Sequence, residues 1–245
     1  GIRSLVRGQA GIDADHVDYD QVAITAVMTT QRFHDYVAYE RFTEEGPIAI
    51  LPLTDGRCGM VWTRKPAEVE RMLALSDDEF LREFQSAFGF RLGRFLRIGQ
   101  RASYNLMLSR ADRHIAQRLA VVGNAAQGLH PIAGQGFNLG LRDAMSLAEV
   151  IADRRVAGTM DPGDASLLQD YAEWRETDRR RIVAFTDGLV RLFATPLGVL
   201  RSLRSLGILA FDVLPPAKSA LARLSVGAAP RVPRLARGVP LAGIR

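Results

Sequence analysis

Residues 119–151 read LAVVGNAAQGLHPIAGQGFNLGLRDAMSLAEVI, and their reading decides the fold. The stretch opens with four apolar residues, 119–122, the pattern of a short strand buried on both faces. A glycine-punctuated loop follows over 123–136, and then a helix predicted over 137–153. Gly134, Gln135 and Gly136 stand immediately before that helix. The first turn of a helix leaves backbone N–H groups unpaired and carries about half a unit of positive charge. Glycines there remove side chains that would block access, which suits an anion or an electron-rich carbonyl oxygen. Gly136, Gly140, Ala144 and Ala148 recur every fourth residue and line one helix face with small side chains. Such a stripe admits a flat ring or, equally, a tightly packed strand or helix. Pro131 stiffens the loop beside His130 and removes a donor. Gly123 and Asn124 end the predicted strand. Asn124 there is a turn former, or a hydrogen-bond partner for a ligand at the carboxyl end of a sheet.

Several chemistries are excluded by the same residues. The spacing G-x-G-x-x-x-G lies some way past the strand and is not a dinucleotide fingerprint. No Gly-Lys-Ser/Thr and no G-x-S-x-G occurs in the chain. The four histidines, at 16, 34, 114 and 130, are scattered and give no metal-ligand spacing. A single cysteine, Cys58, excludes a disulfide framework and a cysteine zinc cluster. No side-chain acid, base or nucleophile set is visible. What remains is a backbone-lined site for a planar, partly anionic ligand.

Working outward, residues 21–30 (QVAITAVMTT), 38–42, 47–52 and 57–63 read as short strands. Gly46 with Pro47, and Asp55 with Gly56, supply turns between them. The spacing predicts an antiparallel meander with one apolar face, a plain core by default and wide enough for a greasy ligand. Residues 77–88 form a helix with Ser76 as N-cap, Glu79 completing a capping box and Gly89 as stop. Residues 101–107 read as a further strand. A long helix is capped by Asp164 and runs toward Ala194. Thr195 and Pro196 start another, up to 214. Pro215 and Pro216 break it, and a short helix over 217–226 precedes a loose Pro/Gly/Arg-rich end.

Across 245 residues the composition is 47% hydrophobic and 24% charged, which is globular. There is no apolar run of the ~18 residues a membrane span needs and no signal-peptide pattern. The net charge is +5, but residues 1–185 carry 23 basic and 25 acidic side chains while 186–245 carry 9 and 2. Thirty of the 32 basic residues are arginine, a bias of composition rather than a nucleic-acid footprint, and no nucleic-acid partner is expected. Within 186–245, leucines and valines alternate with Arg191, Arg201 and Arg204. Such a segment can lie on an anionic membrane surface or on a partner subunit, or simply pack on the body of the protein.

The segment VGNAAQGLHPIAGQGFNLGLRD, residues 122–143, resembles the second flavin-binding motif of the FAD-dependent aromatic hydroxylases, the para-hydroxybenzoate hydroxylase group. It is most similar to the ubiquinone-biosynthesis branch, which includes 2-polyprenyl-6-methoxyphenol hydroxylase. The likeness extends through ERFTEEGPIAILPLTDGRCGMVW (40–62), LREFQSAFGFRLG (81–93) and DAMSLAEVIA, and so covers the chain to about residue 195.

The resemblance implies an α+β, partly α/β, fold. An antiparallel substrate-domain sheet is joined to the end of an FAD domain and to C-terminal helices. The implied division is 1–15 as a remnant of the FAD domain and 16–107 as the substrate sheet with helix 77–88. Residues 108–163 return to the FAD domain, with the flavin motif at 119–143, and 164–245 form a helical region with a basic tail. The implied flavin-facing residues are Gly123, Asn124, Pro131, Gly134, Gln135, Gly136, Phe137 and Asn138. Asn124 stands where the family has an acidic residue that meets the ribityl chain, an exchange shared by the methoxyphenol-hydroxylase branch. Pro131 matches the proline beside the flavin where oxygen reacts. The implied cofactor is FAD with NAD(P)H as co-substrate. The implied chemistry is hydroxylation of a polyprenylated phenol by O2 through a flavin hydroperoxide, in a cytoplasmic protein peripheral to the inner membrane or attached to a quinone-biosynthesis complex through 186–245. The family's G-x-G-x-x-G is expected upstream of Gly1, so the 245-residue chain alone is expected to hold FAD weakly or not at all. The contrasting reading is a non-catalytic scaffold or assembly module that keeps the fold without FAD.

Overall fold

Alternate residues of 24–28, 48–52 and 58–62 are apolar, and a computed structural model shows this period as an antiparallel sheet. It describes residues 1–43, 45–158, 161–194, 214–216, 219 and 231–242. The elements in chain order are α1 (Leu5–Gln9), β1 (Ala14–Thr30), β2 (Tyr39–Thr43), β3 (Gly46–Pro52), β4 (Arg57–Arg64), α2 (Pro66–Ala74), α3 (Asp77–Phe88), β5 (Phe95–Ile98), β6 (Ala102–Ala111), β7 (Ile115–Ala116), β8 (Leu119–Ala120), β9 (Gln127–Gly128), α4 (Gln135–Val156) and α5 (Ala165–Ala194). They fall into two compact units. One comprises Gly1–Val17, Leu108–Leu189 and the described part of Leu197–Arg245; the other comprises Asp18–Met107 and the described part of Val190–Pro196.

In the second unit the strand order is β2-β3-β4-β1, and β5 also pairs with β1. Ile24 stands opposite Trp62, and Trp62 opposite Ile48; Met60 lies between Ala26 and Ile50 in the same way. These side chains share one face and bury against Met72 of α2 and Phe80, Phe84 and Phe88 of α3. Trp62 meets Phe84 edge-on at 5.2 Å and Phe95 meets Phe84 at 4.8 Å, the tilted geometry that aromatic quadrupoles favour. The opposite face carries Thr25, Val61 and Ala49 in one row and Val27, Gly59 and Leu51 in the next. All six are uncharged, and Val27 and Leu51 are exposed; the same face continues to Glu40 opposite Ala49 and Arg57 opposite Thr29.

The expected strands form, each within a few residues of its predicted bounds except β1, which starts at Ala14. The Asp55–Gly56 turn has both residues at positive φ, 59° and 66°, the left-handed pair that a tight hairpin needs. In α3 the capping box is complete: the Ser76 hydroxyl accepts from the Glu79 N–H and the Ser76 N–H donates to the Glu79 carboxylate at 3.0 Å. Helix α2 and strand β5 were not foreseen. Pro66 at the first helical position was the available signal for α2.

In the first unit the stretch 119–122 departs from expectation in part. It is covered on both sides as expected, but it is not a strand of the large sheet. Only Leu119–Ala120 are paired as a strand, with Ile115–Ala116 in a two-stranded hairpin that turns at Arg118 with φ 57°. Ala120 and Val122 lie against a cluster of Val150, Leu167, Leu168 and Tyr171 from α4 and α5, while Leu119 and Val121 pack on the other side with Ile12, Ala111 and Ala126. The C-terminal end is not loose either, as far as it is described. Arg234 makes a two-pronged pair with Asp153 at 2.7 and 2.8 Å, its N–H donates to Glu149 at 2.6 Å, and Arg231 stacks over Trp174 at 3.8 Å. Pro215 and Pro216 are themselves helical. The helices expected over 195–214 and 217–226 lie almost wholly outside the described residues.

Phe84 is fully buried among Trp62, Phe88 and Phe95. Phe84→Ala is expected to cost about 3–5 kcal/mol, read as a lower urea midpoint; a loss under about 1 kcal/mol would contradict this packing.

Candidate functional site

Helix α4 starts at Gln135, two residues earlier than predicted, because Gly134 adopts the left-handed conformation (φ 61°, ψ 23°) and serves as its N-cap. A 3-10 turn, Ile132–Gly134, leads into it, and the Gly134 N–H donates to the Pro131 carbonyl at 3.0 Å. No side chain caps α4, and its first turn holds no acidic residue. A Cβ placed on Gly134 or Gly136 would meet nothing within 4 Å, so the space before the helix start is open. The other helices differ. In α3 the first turn contains Asp77, Asp78 and Glu79 beneath the capping box, and α5 is capped by Asp164, which accepts from the Ser166 and Leu167 N–H groups. Among these three helices α4 alone has neither a side-chain cap nor an acidic residue in its first turn, and its last turn carries Arg154 and Arg155, which complement the negative end.

The residues expected at the site all lie in this one unit. Asn124, Pro131, Gly134, Phe137 and Asn138 are exposed, Gly123 and Gly136 are half-buried, and Gln135 is buried. Phe137 is 78% exposed. The small-residue stripe divides between its two readings. Gly136 faces open space, whereas a Cβ on Gly140 would stand 3.0 Å from the Gly123 Cα, so Gly140 exists for close packing of the loop on the helix. Asn124 lies within a 3-10 turn, Gly123–Ala125, rather than at the end of a sheet strand.

His130 is fully buried, and its Nδ1 accepts from the Ile132 N–H at 3.2 Å. That acceptor role fixes the neutral form with its proton on Nε2. Burial pushes its pKa down to about 4.

Sequence reasoning missed a buried polar network beneath the loop. The Gln127 amide donates to Asp143 Oδ2 at 2.8 Å, and Arg175 Nε donates to Asp143 Oδ1 at 2.8 Å. Arg179 pairs with the same oxygen at 3.3 Å and donates to the Tyr171 hydroxyl at 2.7 Å. Asp178 pairs with Arg142 and Arg175. Three buried guanidinium groups thus face two carboxylates, and burial lowers the Arg142 pKa while burial with Arg179 close by pushes His114 to about 4. The signal was present in the helical spacing of polar residues at 142, 143, 146 and 149 on α4 and at 171, 175 and 178 on α5. Among the described residues no group of histidine, cysteine and acidic side chains could hold a metal ion.

A long helix whose first turn offers uncapped amides to open space, behind a glycine-rich loop, is the form of a cofactor-binding unit. The chain belongs to the FAD binding domain family, whose profile matches residues 1–186. Ubiquinone hydroxylase UbiL of Rhodospirillum rubrum is 42% identical over 245 residues, covering 98% of this chain and 57% of the relative. Ubiquinone biosynthesis monooxygenase COQ6 of Caenorhabditis elegans is 30% identical over 258 residues, covering 90% and 57%. In fold, the Diels-Alderase PyrE3 of the pyrroindomycin pathway matches with a TM-score of 0.70 at 24% identity, over 95% of this chain and 50% of that one. The chain spans a little over half the length of the curated relatives it matches.

Two outcomes follow from this geometry. Gly140→Ala is expected to destabilise by about 1–3 kcal/mol because backbone cannot yield to the new methyl, while Gly136→Ala in open space gains up to about 1 kcal/mol of helix propensity; equal thermal midpoints for the two variants would refute the division of the stripe. For His130 the folded pKa of about 4 lies below the ~6.5 of an unfolded histidine. The unfolded chain therefore binds a proton that the folded chain does not. The stability contribution is whole above ~6.5 and falls away as pH drops toward ~4. His130→Asn keeps an acceptor for Ile132 and removes the titration, so its stability is expected to depend less on pH than the wild type over that window; parallel curves would contradict the assignment.

Proposed function

We propose that this chain is the flavin-facing and substrate-facing part of an FAD-dependent monooxygenase that hydroxylates a polyprenylated phenol in ubiquinone biosynthesis, with NAD(P)H as reductant. The observation that carries the reading is the start of α4, uncapped, free of acidic residues and open at Gly134 and Gly136. These residues fit FAD: backbone N–H groups at 135–138 would meet the electron-rich edge of the ring, with Asn124 and Pro131 contributed by the preceding loop. When bound and reduced by NAD(P)H, the flavin supplies the activation of O2.

The chain's own part is electrostatic and steric. The positive end of α4 stabilises negative charge placed before it. In the other unit, the uncharged patch of Thr25, Val27, Ala49, Leu51, Gly59 and Val61, bordered by Glu40 and Arg57 on the same face, is suited to a prenylated ring and to exclusion of water. The relatives are a ubiquinone hydroxylase and a ubiquinone biosynthesis monooxygenase, and they support this choice of substrate class. No helix among the described residues is long and apolar enough to cross a membrane. Contact with a membrane surface or a quinone-biosynthesis complex through 186–245 stays part of the proposal, and most of that segment lies outside the described residues.

Gly136→Asp separates ligand binding from folding. A carboxylate in the first turn of a helix favours the helix by about 0.3–1 kcal/mol, yet it repels an electron-rich ligand at the same place. In the full-length gene product the variant is expected to keep or raise its thermal midpoint and to bind FAD about tenfold more weakly or worse, by flavin fluorescence titration. Undiminished FAD affinity would refute the placement of the flavin, and a wild-type protein that takes up no FAD would favour the scaffold reading.

A further inference from the structure

The loop that carries Asn124 and Pro131 is held to α4 at two points. At its start, Gly123 lies so close to Gly140 that a methyl group on Gly140 would stand 3.0 Å from the Gly123 Cα and force the backbone to shift. At its middle, the Gln127 side chain donates to Asp143 Oδ2 at 2.8 Å. The backbone of Gln127 is occupied on its other side, where Gln127–Gly128 pairs with Arg110 and Ser109 of β6. Asp143 is in turn fixed from α5, since its second oxygen accepts from Arg175 Nε at 2.8 Å and pairs with Arg179 at 3.3 Å. Gln127, Asp143, Arg175 and Arg179 are each at most 3% exposed. A buried carboxylate with both oxygens engaged by donors is stable only while every partner stays in place. Gln127 is therefore a directed tether and not a space filler.

We infer that Asp143 and Gln127 are positioning residues: through their hydrogen bond, α5 and α4 together set where the loop 123–131 stands relative to the open start of α4. The inference deepens the flavin reading and rests on it for its consequence, which is that Asn124 and Pro131 are held in register with the amides at 135–138. Neither Asp143 nor Gln127 touches the ligand. They act by removing freedom from the residues that do, so that the entropy of ordering the loop is paid in folding and not again on binding.

Two measurements test this. Amide hydrogen exchange on the 245-residue chain reads the tether itself, and FAD titration of the full-length gene product reads its consequence. Gln127→Ala removes the donor, and Asp143→Asn turns the acceptor into a second donor. A hydrogen bond to a charged group is worth about 1.5–3 kcal/mol, so exchange at 124–131 and the FAD Kd are each expected to rise about tenfold or more, with exchange over 77–88 unchanged. The combined Gln127→Glu and Asp143→Asn exchange keeps the number of charges and reverses the polarity of the bond. It is expected to bring both readouts back to within about threefold of wild type, as coupled neighbours do in a double-mutant cycle.

Wild-type exchange at 124–131 in Gln127→Ala would overturn the inference. So would faster exchange with an unchanged FAD Kd, which would leave the bond a purely structural one. Gln127→Ala leaves the Asp143–Arg175 pair in place, so it decides the matter even where Asp143→Asn fails to fold. If the wild-type full-length protein itself binds no FAD, the flavin reading falls, and the exchange data then decide the tether alone.

Discussion

Backbone amides at the start of α4 are the constraint on which the rest of this unit depends. No side chain among the described residues caps them, and no acidic side chain in the first turn offsets their charge. An uncapped, positive helix end is a cost to folding unless something outside the helix meets it. The other long helices show what the ordinary solution looks like, a serine with glutamate at α3 and an aspartate at α5. The exception at α4 coincides with the glycines, and both features serve access.

Keeping such a helix end open requires rigid support behind it. Gly140 allows the loop to approach α4, and the Asp143 network locks it there. The same network places three guanidinium groups against two carboxylates inside the unit, an excess of positive charge beneath a site suited to an electron-rich ligand. The C-terminal residues 231–239 add a clasp at the far half of α4 through Arg234, Asp153 and Glu149. The arginines that make the tail look like a free basic patch in the sequence are here partly spent on ion pairs within the protein.

The sheet unit follows a simpler rule. Its apolar period of two buries one face against α2 and α3, and aromatic packing around Phe84 and Trp62 supplies the core. The face left over has an uncharged centre with Glu40 and Arg57 toward its borders, while the fold itself is shared with a Diels-Alderase and does not dictate the reaction.

Much of this was legible from residue order. The period of two in 21–63, the Ser76–Glu79 capping box, the Asp164 cap and the glycines before α4 are local patterns, and local patterns survive in sequence because neighbours along the chain enforce them. The loop 123–131 shows the limit. Four apolar residues at 119–122 signal a segment covered on both sides but not what covers it, which is α4 and α5 on one side and Ile12, Ala111 and Ala126 on the other. Gly136 and Gly140 are indistinguishable as letters in a stripe, yet one faces open space and the other faces Gly123. Gln127, Asp143 and Arg175 lie 16 and 32 residues apart along the chain and become one hydrogen-bonded group only when both helices have docked. The sequence by itself determined most strands of the large sheet, the caps of α3 and α5, and the glycines before α4. The tertiary structure alone decided which buried charges meet, because partners in a low-dielectric interior are chosen by proximity in space, and proximity in space is not written in residue spacing.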